Sequence, residues 1–244
     1  MGVLTEIELR ERVKREGRVD TISVDPGTII TPAAAQYARE QGIKIVFEGK
    51  DKKISKGELK GQKKPEHYTH LDRSNLVPKN HPRIKLRGML DMLQALIIKA
   101  QIVVQQEGIP RLVGDLEQML AYTRQLLRAE VTGDDAPELK LLNLNEEEIR
   151  EYSHRPFENI GINHIVPSYY MGPVIAELNY LRAFVRQVEI AACEAFLREN
   201  GEPERLDIIK GLNRLSSAVY VMECKLLAGQ YYSENKESKL DSKD

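Results

Sequence analysis

The chain is poor in cysteine and in aromatics. Of its 244 residues only Cys193 and Cys224 are cysteines, phenylalanine occurs four times, and tryptophan is absent. Two thiols so far apart cannot build a four-cysteine zinc site, and they lack the density of a secreted disulfide framework. Both stand inside apolar helical patterns, so they read as buried, reduced thiols in a reducing cytosol. Charge of one sign is also missing: 36 Lys and Arg stand against 37 Asp and Glu. That balance argues against a nucleic-acid surface or a polybasic membrane arm. No apolar run approaches the ~20 residues that span a bilayer. The start, MGVLTEIELRERVKREG, is charged and amphipathic and has no signal-peptide core. Neither GxGxxG nor GxxxxGK[ST] occurs, and a serine-hydrolase elbow is absent. The five histidines (67, 70, 81, 154, 164) do not combine with the cysteines into a zinc pattern. Glu151-x-x-His154 has di-iron spacing, but in a single copy without matching glutamates.

What is present falls into regions of distinct composition. Residues 1–48 read as a small α/β unit. Leu4 to Lys14 predicts a helix, TISV (21–24) an extended segment and Asp25-Pro26-Gly27 a turn. Thr31-Pro32 is a helix start, with Thr as N-cap and Pro at the first helical position. The helix runs over 33–41, Gly42 suits its C′ position, and 43–47 reads as a strand. Residues 49–67 hold seven lysines and three glycines and predict a flexible linker. Residues 233–244 predict a disordered tail for the same reason.

The main domain, 68–232, shows no convincing strand. Met89, Leu93, Leu96, Ala100 and Val103 recur at helical spacing, as do Leu112, Leu116, Met119, Leu120, Leu126 and Leu127. Leu212, Leu215, Val219, Met222 and Leu226 follow a 3-4-3-4 seam. Gly108, Ile109 and Pro110 separate the first two helices and TGDDAP (132–137) closes the second. A short helix near 145–153 and long ones near 172–199 and 203–230 complete the set, the long pair broken at Gly201 and Pro203. The fold class is mainly α: a four- to five-helix bundle with a small N-terminal α/β appendage.

Polar residues intrude on this bundle. Arg182, Arg186 and Glu189 share one face beside the apolar stripe Leu178, Leu181, Val185, Val188 and Ala192. A buried guanidinium needs a partner, and Asp91, alone in RGMLDMLQALII, is the candidate. The pair reads either as a staple between helices or as an anion site that Asp91 keeps in shape. Asn213 and Ser217 stand i, i+4 beside the seam and favour the second reading. The loop 69–83 carries Lys79, His81 and Arg83 around Pro78 and Pro82, a rigid basic turn able to receive phosphates.

These segments resemble the cobalamin adenosyltransferases. LVPKNHPRIKLRGMLDML (76–93) looks like their VPKDDPR…GxLDEL signature, FVRQVE (184–189) like the core of CRRAER, and LNRLS (212–216) like LNRLSD. LTEIELR, TPAAAQYAREQGIKI, SHRPFENIGINHIVP and LNRLSSAVYVM are closer to the ethanolamine-utilisation (EutT-type) branch. The resemblance implies transfer of the 5′-deoxyadenosyl group of ATP to cob(I)alamin, with Mg²⁺, in a homotrimer whose active sites lie at subunit interfaces. It implies ATP contacts from Lys79, Arg83, Arg186, Glu189, Asn213 and Thr69, and an Asp91–Arg186 pair across or near the interface. Phe157, His164, Tyr169 and Tyr170 are candidates to line the corrinoid. It also implies a bacterial cytoplasmic protein, with a reductase and a microcompartment as further partners. Three departures stand out: Ile190 replaces the last arginine of RRAER, Ser217 replaces the aspartate of LNRLSD, and the PduO-type glycine-rich loop is missing. Some members of the branch carry a cysteine-rich metal motif upstream of the first bundle helix. The linker here has no cysteine, so no structural metal is expected. The competing expectation is a non-catalytic cargo or scaffold protein of a microcompartment. An ATP-dependent phosphotransferase lacks an acceptor base.

Overall fold

The computed structural model describes residues 2–16, 19–24, 28–47, 54–55, 63–198 and 201–232. The expected turn at 25–27, most of the expected linker and the expected tail lie outside them. The chain divides into two compact units, Met1–His81 and Pro82–Asp244.

In the first unit β1 (Val3–Leu4) pairs in parallel with β3 (Ile29–Ile30), and β2 (Thr21–Val24) with β4 (Lys44–Phe47). Helix α1 (Glu6–Glu16) begins two residues later than the periodicity suggests. Helix α2 (Pro32–Gln41) starts as its sequence dictates: Thr31 is extended and its side chain accepts from the Ala34 N–H. Proline at the first position has no N–H to leave unpaired. The helix stops at Gly42, whose φ of 68° is the left-handed conformation a Cβ would penalise. Leu4, Leu9, Ile22, Val24, Ala34, Ala38 and Ile43 make its small core.

Strands also occur where a linker and a loop were expected. β5 (Ile54–Ser55), β6 (Tyr68–His70) and β7 (Asn75–Pro78) form an antiparallel sheet of order β5-β7-β6. The Asp72 carboxylate accepts from the N–H groups of Ser74 and Asn75, each at 2.8 Å, and so turns the chain between β6 and β7. These short strands carry no long alternating pattern, which is why periodicity misses them.

The second unit is the expected bundle. Helices α3 (Pro82–Gln106), α4 (Pro110–Thr132), α7 (Gly172–Phe196) and α8 (Leu206–Leu227) are long; α5 (Glu146–His154) and α6 (Pro156–Ile160) are short. A 3-10 turn, Tyr169–Met171, leads into α7. Helix α3 packs on α4 and α7, and α8 packs on α7 and α5. The seam of α3 runs through Leu86, Leu90, Leu93, Ile97, Ala100 and Val104, all buried. It is rotated from the expected stripe, leaving Met89, Leu96 and Val103 only partly covered. In α8 the expected residues Leu212, Leu215, Val219, Met222 and Leu226 are all buried. Each such leucine contributes about 1.5–3 kcal/mol relative to an exposed one. Helix α8 approaches α4 closely at Gly211, where a Cβ would strike the Tyr122 hydroxyl. By length and composition α3 is also apolar enough to cross a bilayer, a property that core helices share. Both cysteines are free; Cys224 is buried as expected, while Cys193 is only half-buried.

Candidate active site

The side chains of α7 and α8 that break the apolar pattern meet at an open cleft of about 630 Å³. Arg182, Arg186 and Glu189 come from α7, and Asn213, Ser216, Ser217 and Tyr220 from α8. Ser153 and His154 at the end of α5, with His164 and Ile165 from the following loop, close the other side. The spacing explains the convergence: positions i, i+3 or i+4, and i+7 of a helix share one face. Two such polar faces border the α7–α8 seam.

The cleft is held by a short polar network. Asn213 Nδ2 donates to Glu189 Oε1 at 2.9 Å, and Arg214 Nη1 donates to Asn213 Oδ1 at 2.6 Å. The Ser216 hydroxyl donates to the Asn213 carbonyl at 2.9 Å. Glu189 is thus fixed by an amide rather than an arginine, which leaves Arg182 and Arg186 facing the cleft. On the opposite wall the Tyr220 hydroxyl accepts the Ile165 N–H at 3.0 Å and lies 3.0 Å from His164 Nδ1. These contacts tie the loop to α8, and burial raises the Tyr220 phenol above its ordinary range. The Arg182 guanidinium lies over the Tyr220 ring, 4.8 Å from its centroid. Such a wall offers cations, amides and hydroxyls, the donors a polyphosphate needs.

The cleft therefore gathers Arg182, Arg186, Glu189, Asn213, Ser217 and His164 among the residues singled out from sequence. Others stand elsewhere. Arg83 is not a cleft residue. Its Nε donates to Glu130 Oε1 at 2.6 Å and its Nη2 to the Glu130 carbonyl at 2.8 Å. Arg87 binds the other Glu130 oxygen. Asp91 and Arg186 are both exposed and make no ion pair among the described residues, so the alternative of a staple between helices of one chain is not seen. Asp91 stands instead on an outward face of α3 with exposed Met92, Ile98 and Ile102. Phe157, Tyr169 and Tyr170 do not line the cleft either. They are 66%, 79% and 81% exposed, and the two tyrosine rings lean together at 3.9 Å. Thr69 and Lys79 belong to the first unit. Thr69 pairs with Val77 across β6 and β7, and the Lys79 N–H donates to the His67 carbonyl at 2.8 Å. Ile190 is 60% exposed, and Arg214 is spent on Asn213.

Tyr220, Ser153, Ser216 and Ile165 were not singled out. Tyr220 could have been, since it continues the 213, 216, 217 face by one turn. Ile165 enters only through a loop contact that no periodicity encodes.

The cobalamin adenosyltransferase family model matches residues 60–226. The corrinoid adenosyltransferase EutT of Salmonella typhimurium (strain LT2) is 36% identical over 160 residues, 66% of this chain and 58% of that protein. EutT of Escherichia coli K12 matches to the same extent. The chain thus spans 58% of the length of these relatives. No solved structure matches. The matched region contains both helices that build the cleft, and the chain belongs to the cobalamin adenosyltransferase family.

Proposed function

We propose that the protein transfers the 5′-deoxyadenosyl group of ATP to the cobalt of cob(I)alamin, releasing adenosylcobalamin and triphosphate, in the service of ethanolamine ammonia-lyase. The observation that carries this reading is the cleft at the α7–α8 seam, where Arg186, Glu189, Asn213 and His164 meet. Family membership and the similarity to the two EutT proteins support it.

Cob(I)alamin is itself a strong nucleophile, so no general base is required of the protein. What the chain must do is hold C5′ in line with cobalt and stabilise the departing triphosphate. Arg186 and Arg182 supply positive charge on the cleft wall, and the family resemblance adds Lys79 as a phosphate contact. Asn213, locked by Glu189 and Arg214, presents a preset amide rather than a mobile one. Mg²⁺ arriving with ATP would supply further neutralisation of the leaving group. The cleft suits a metal-bound nucleotide, since its guanidinium, amide and hydroxyl donors would address phosphate oxygens.

Corrinoid is the second substrate. Phe157, Tyr169 and Tyr170 are large, exposed and close in sequence to cleft residue His164, and they would cover the corrin face. The assembly is a homotrimer. In it Asp91 pairs with Arg186 of a neighbouring copy, and the exposed Met92, Ile98 and Ile102 around Asp91 become interface. We place it in the bacterial cytoplasm, with a reductase that supplies cob(I)alamin and a microcompartment as further partners.

Purified protein mixed with ATP, Mg²⁺ and chemically reduced cobalamin should yield the light-sensitive spectrum of adenosylcobalamin. An unchanged spectrum would favour the cargo or scaffold role. Lys79→Ala should weaken ATP far more than corrinoid; equal weakening of both would remove Lys79 from the phosphate site.

A further inference from the structure

One acidic group of the bundle has no role in the chemistry above. Glu223 of α8 is fully buried, and neither of its carboxyl oxygens has a hydrogen-bond partner among the described residues. An ionised carboxylate in that state carries a desolvation cost with nothing to offset it. The neutral acid carries much less. A buried polar group left bare in this way calls for a specific explanation.

Its surroundings supply one. Among the described residues the charge that acts on Glu223 is that of Arg182, on the neighbouring helix α7. Its other titratable neighbour is Cys224, on its own helix, itself pushed up to about 11 by burial. Helices α4, α5 and α6 also pack on α8 but bring no charge to bear on it. Arg182 is within electrostatic reach of Glu223 but makes no ion pair with it; its guanidinium rests on the Tyr220 ring and lines the cleft. Tyr220 in turn holds His164 and Ile165. Glu223 follows Tyr220 by three residues on α8, on the same helix face, so the guanidinium on the Tyr220 ring is coupled to a buried acid one turn along α8 while it also lines the cleft.

We propose that Glu223 is a positioning residue for Arg182: as a neutral acid it leaves Arg182 seated on Tyr220 with its charge free for an anion in the cleft, and as a carboxylate it draws that charge back into the bundle. The proposal rests on the cleft being the triphosphate site. Burial pushes the Glu223 carboxyl up to about 7, against a smaller opposing pull from Arg182, so the change of state falls near neutral pH. The proton is bound more tightly in the folded chain than in the unfolded one. Stability is therefore full below the ordinary glutamate range near 4.5 and lost as pH rises through about 7.

The experiment has two arms on the full chain. The first measures unfolding by denaturant from pH 5 to 8.5 for the wild type and Glu223→Gln. The wild type should lose on the order of 100-fold in its folding constant relative to the variant as pH rises; parallel curves would overturn the proposal. The second measures binding of inorganic triphosphate by calorimetry at pH 6 and pH 8. The ratio of wild-type to variant Kd should rise roughly fivefold or more between the two, since a nearby compensating charge of this kind changes affinity by about 1 kcal/mol or more. A constant ratio would overturn it, even with a normal first arm. Glu223→Leu, which carries no proton and suits an apolar site, should repeat the Gln result in both arms; if it instead follows the wild type, the proposal is wrong. Should no protein bind triphosphate at either pH, the reading of the cleft falls and takes this proposal with it, an outcome distinct from a constant ratio.

Discussion

Helices α4 and α8 each bury a glutamate completely near their C-termini, and the two sites are built in opposite ways. Glu130 receives Arg83 on one oxygen and Arg87 on the other, and its own carbonyl takes a second Arg83 bond. Glu223 receives no hydrogen bond from any described residue. The first site compensates a charge by pairing, at the bundle end where α3 begins. The second holds an acid whose charge is costly, three residues along α8 from cleft residue Tyr220. Burial alone therefore does not make a carboxyl structural or functional. What matters is which groups face it, and whether any of those also faces the substrate.

The comparison can be broken or sharpened by mutation. The largest effect is expected at the paired site. Glu130→Leu leaves two arginines without their shared carboxylate and should cost about 3–5 kcal/mol in denaturant unfolding; a change below about 1 kcal/mol would mean that solvent already compensates the pair. Asp91→Asn tests an acid that is exposed in one chain and, in the proposed trimer, paired with Arg186 of a neighbouring copy. Monomer folding should stay nearly unchanged, while sedimentation shows loss of the trimer and the adenosylation rate falls at least tenfold, the effect of about 1.4 kcal/mol on the barrier. A trimeric, fully active variant would exclude the proposed partner contact. Tyr220→Phe keeps the ring under Arg182 but removes the acceptor of the Ile165 N–H. It should cost roughly 1–2 kcal/mol and raise the KM for ATP more than it lowers kcat. The smallest effect belongs to the exposed pair Lys85–Glu194, whose side chains are about half accessible. Lys85→Ala should change stability by less than about 1 kcal/mol, and less still at high salt.

Much of the bundle is legible in the chain. The α8 seam follows directly from its 3-4-3-4 spacing, because burial of one face of a helix leaves that period in the residues. The caps of α2 are equally readable, since Thr31, Pro32 and Gly42 each solve a local backbone problem. The α3 seam was harder. Met89, Leu96 and Val103 are as apolar as the residues that are buried, so composition could not choose between adjacent stripes. Contact with α4 and α7 chose.

Of the candidate site, the sequence by itself determined the polar faces of α7 and α8. Arg182, Arg186, Glu189, Asn213 and Ser217 stand out there because charged and amide groups are unexpected beside an apolar stripe, and helical geometry places them together whatever surrounds them. Only the tertiary structure decided who their partners are. It took Arg83 out of the cleft by setting Glu130 against it, set Asp91 facing outward, brought Tyr220 under Arg182, and left Glu223 bare. Periodicity records which side of a helix is buried. The pairing of one side chain with another across helices depends on their crossing and register, which no local pattern contains.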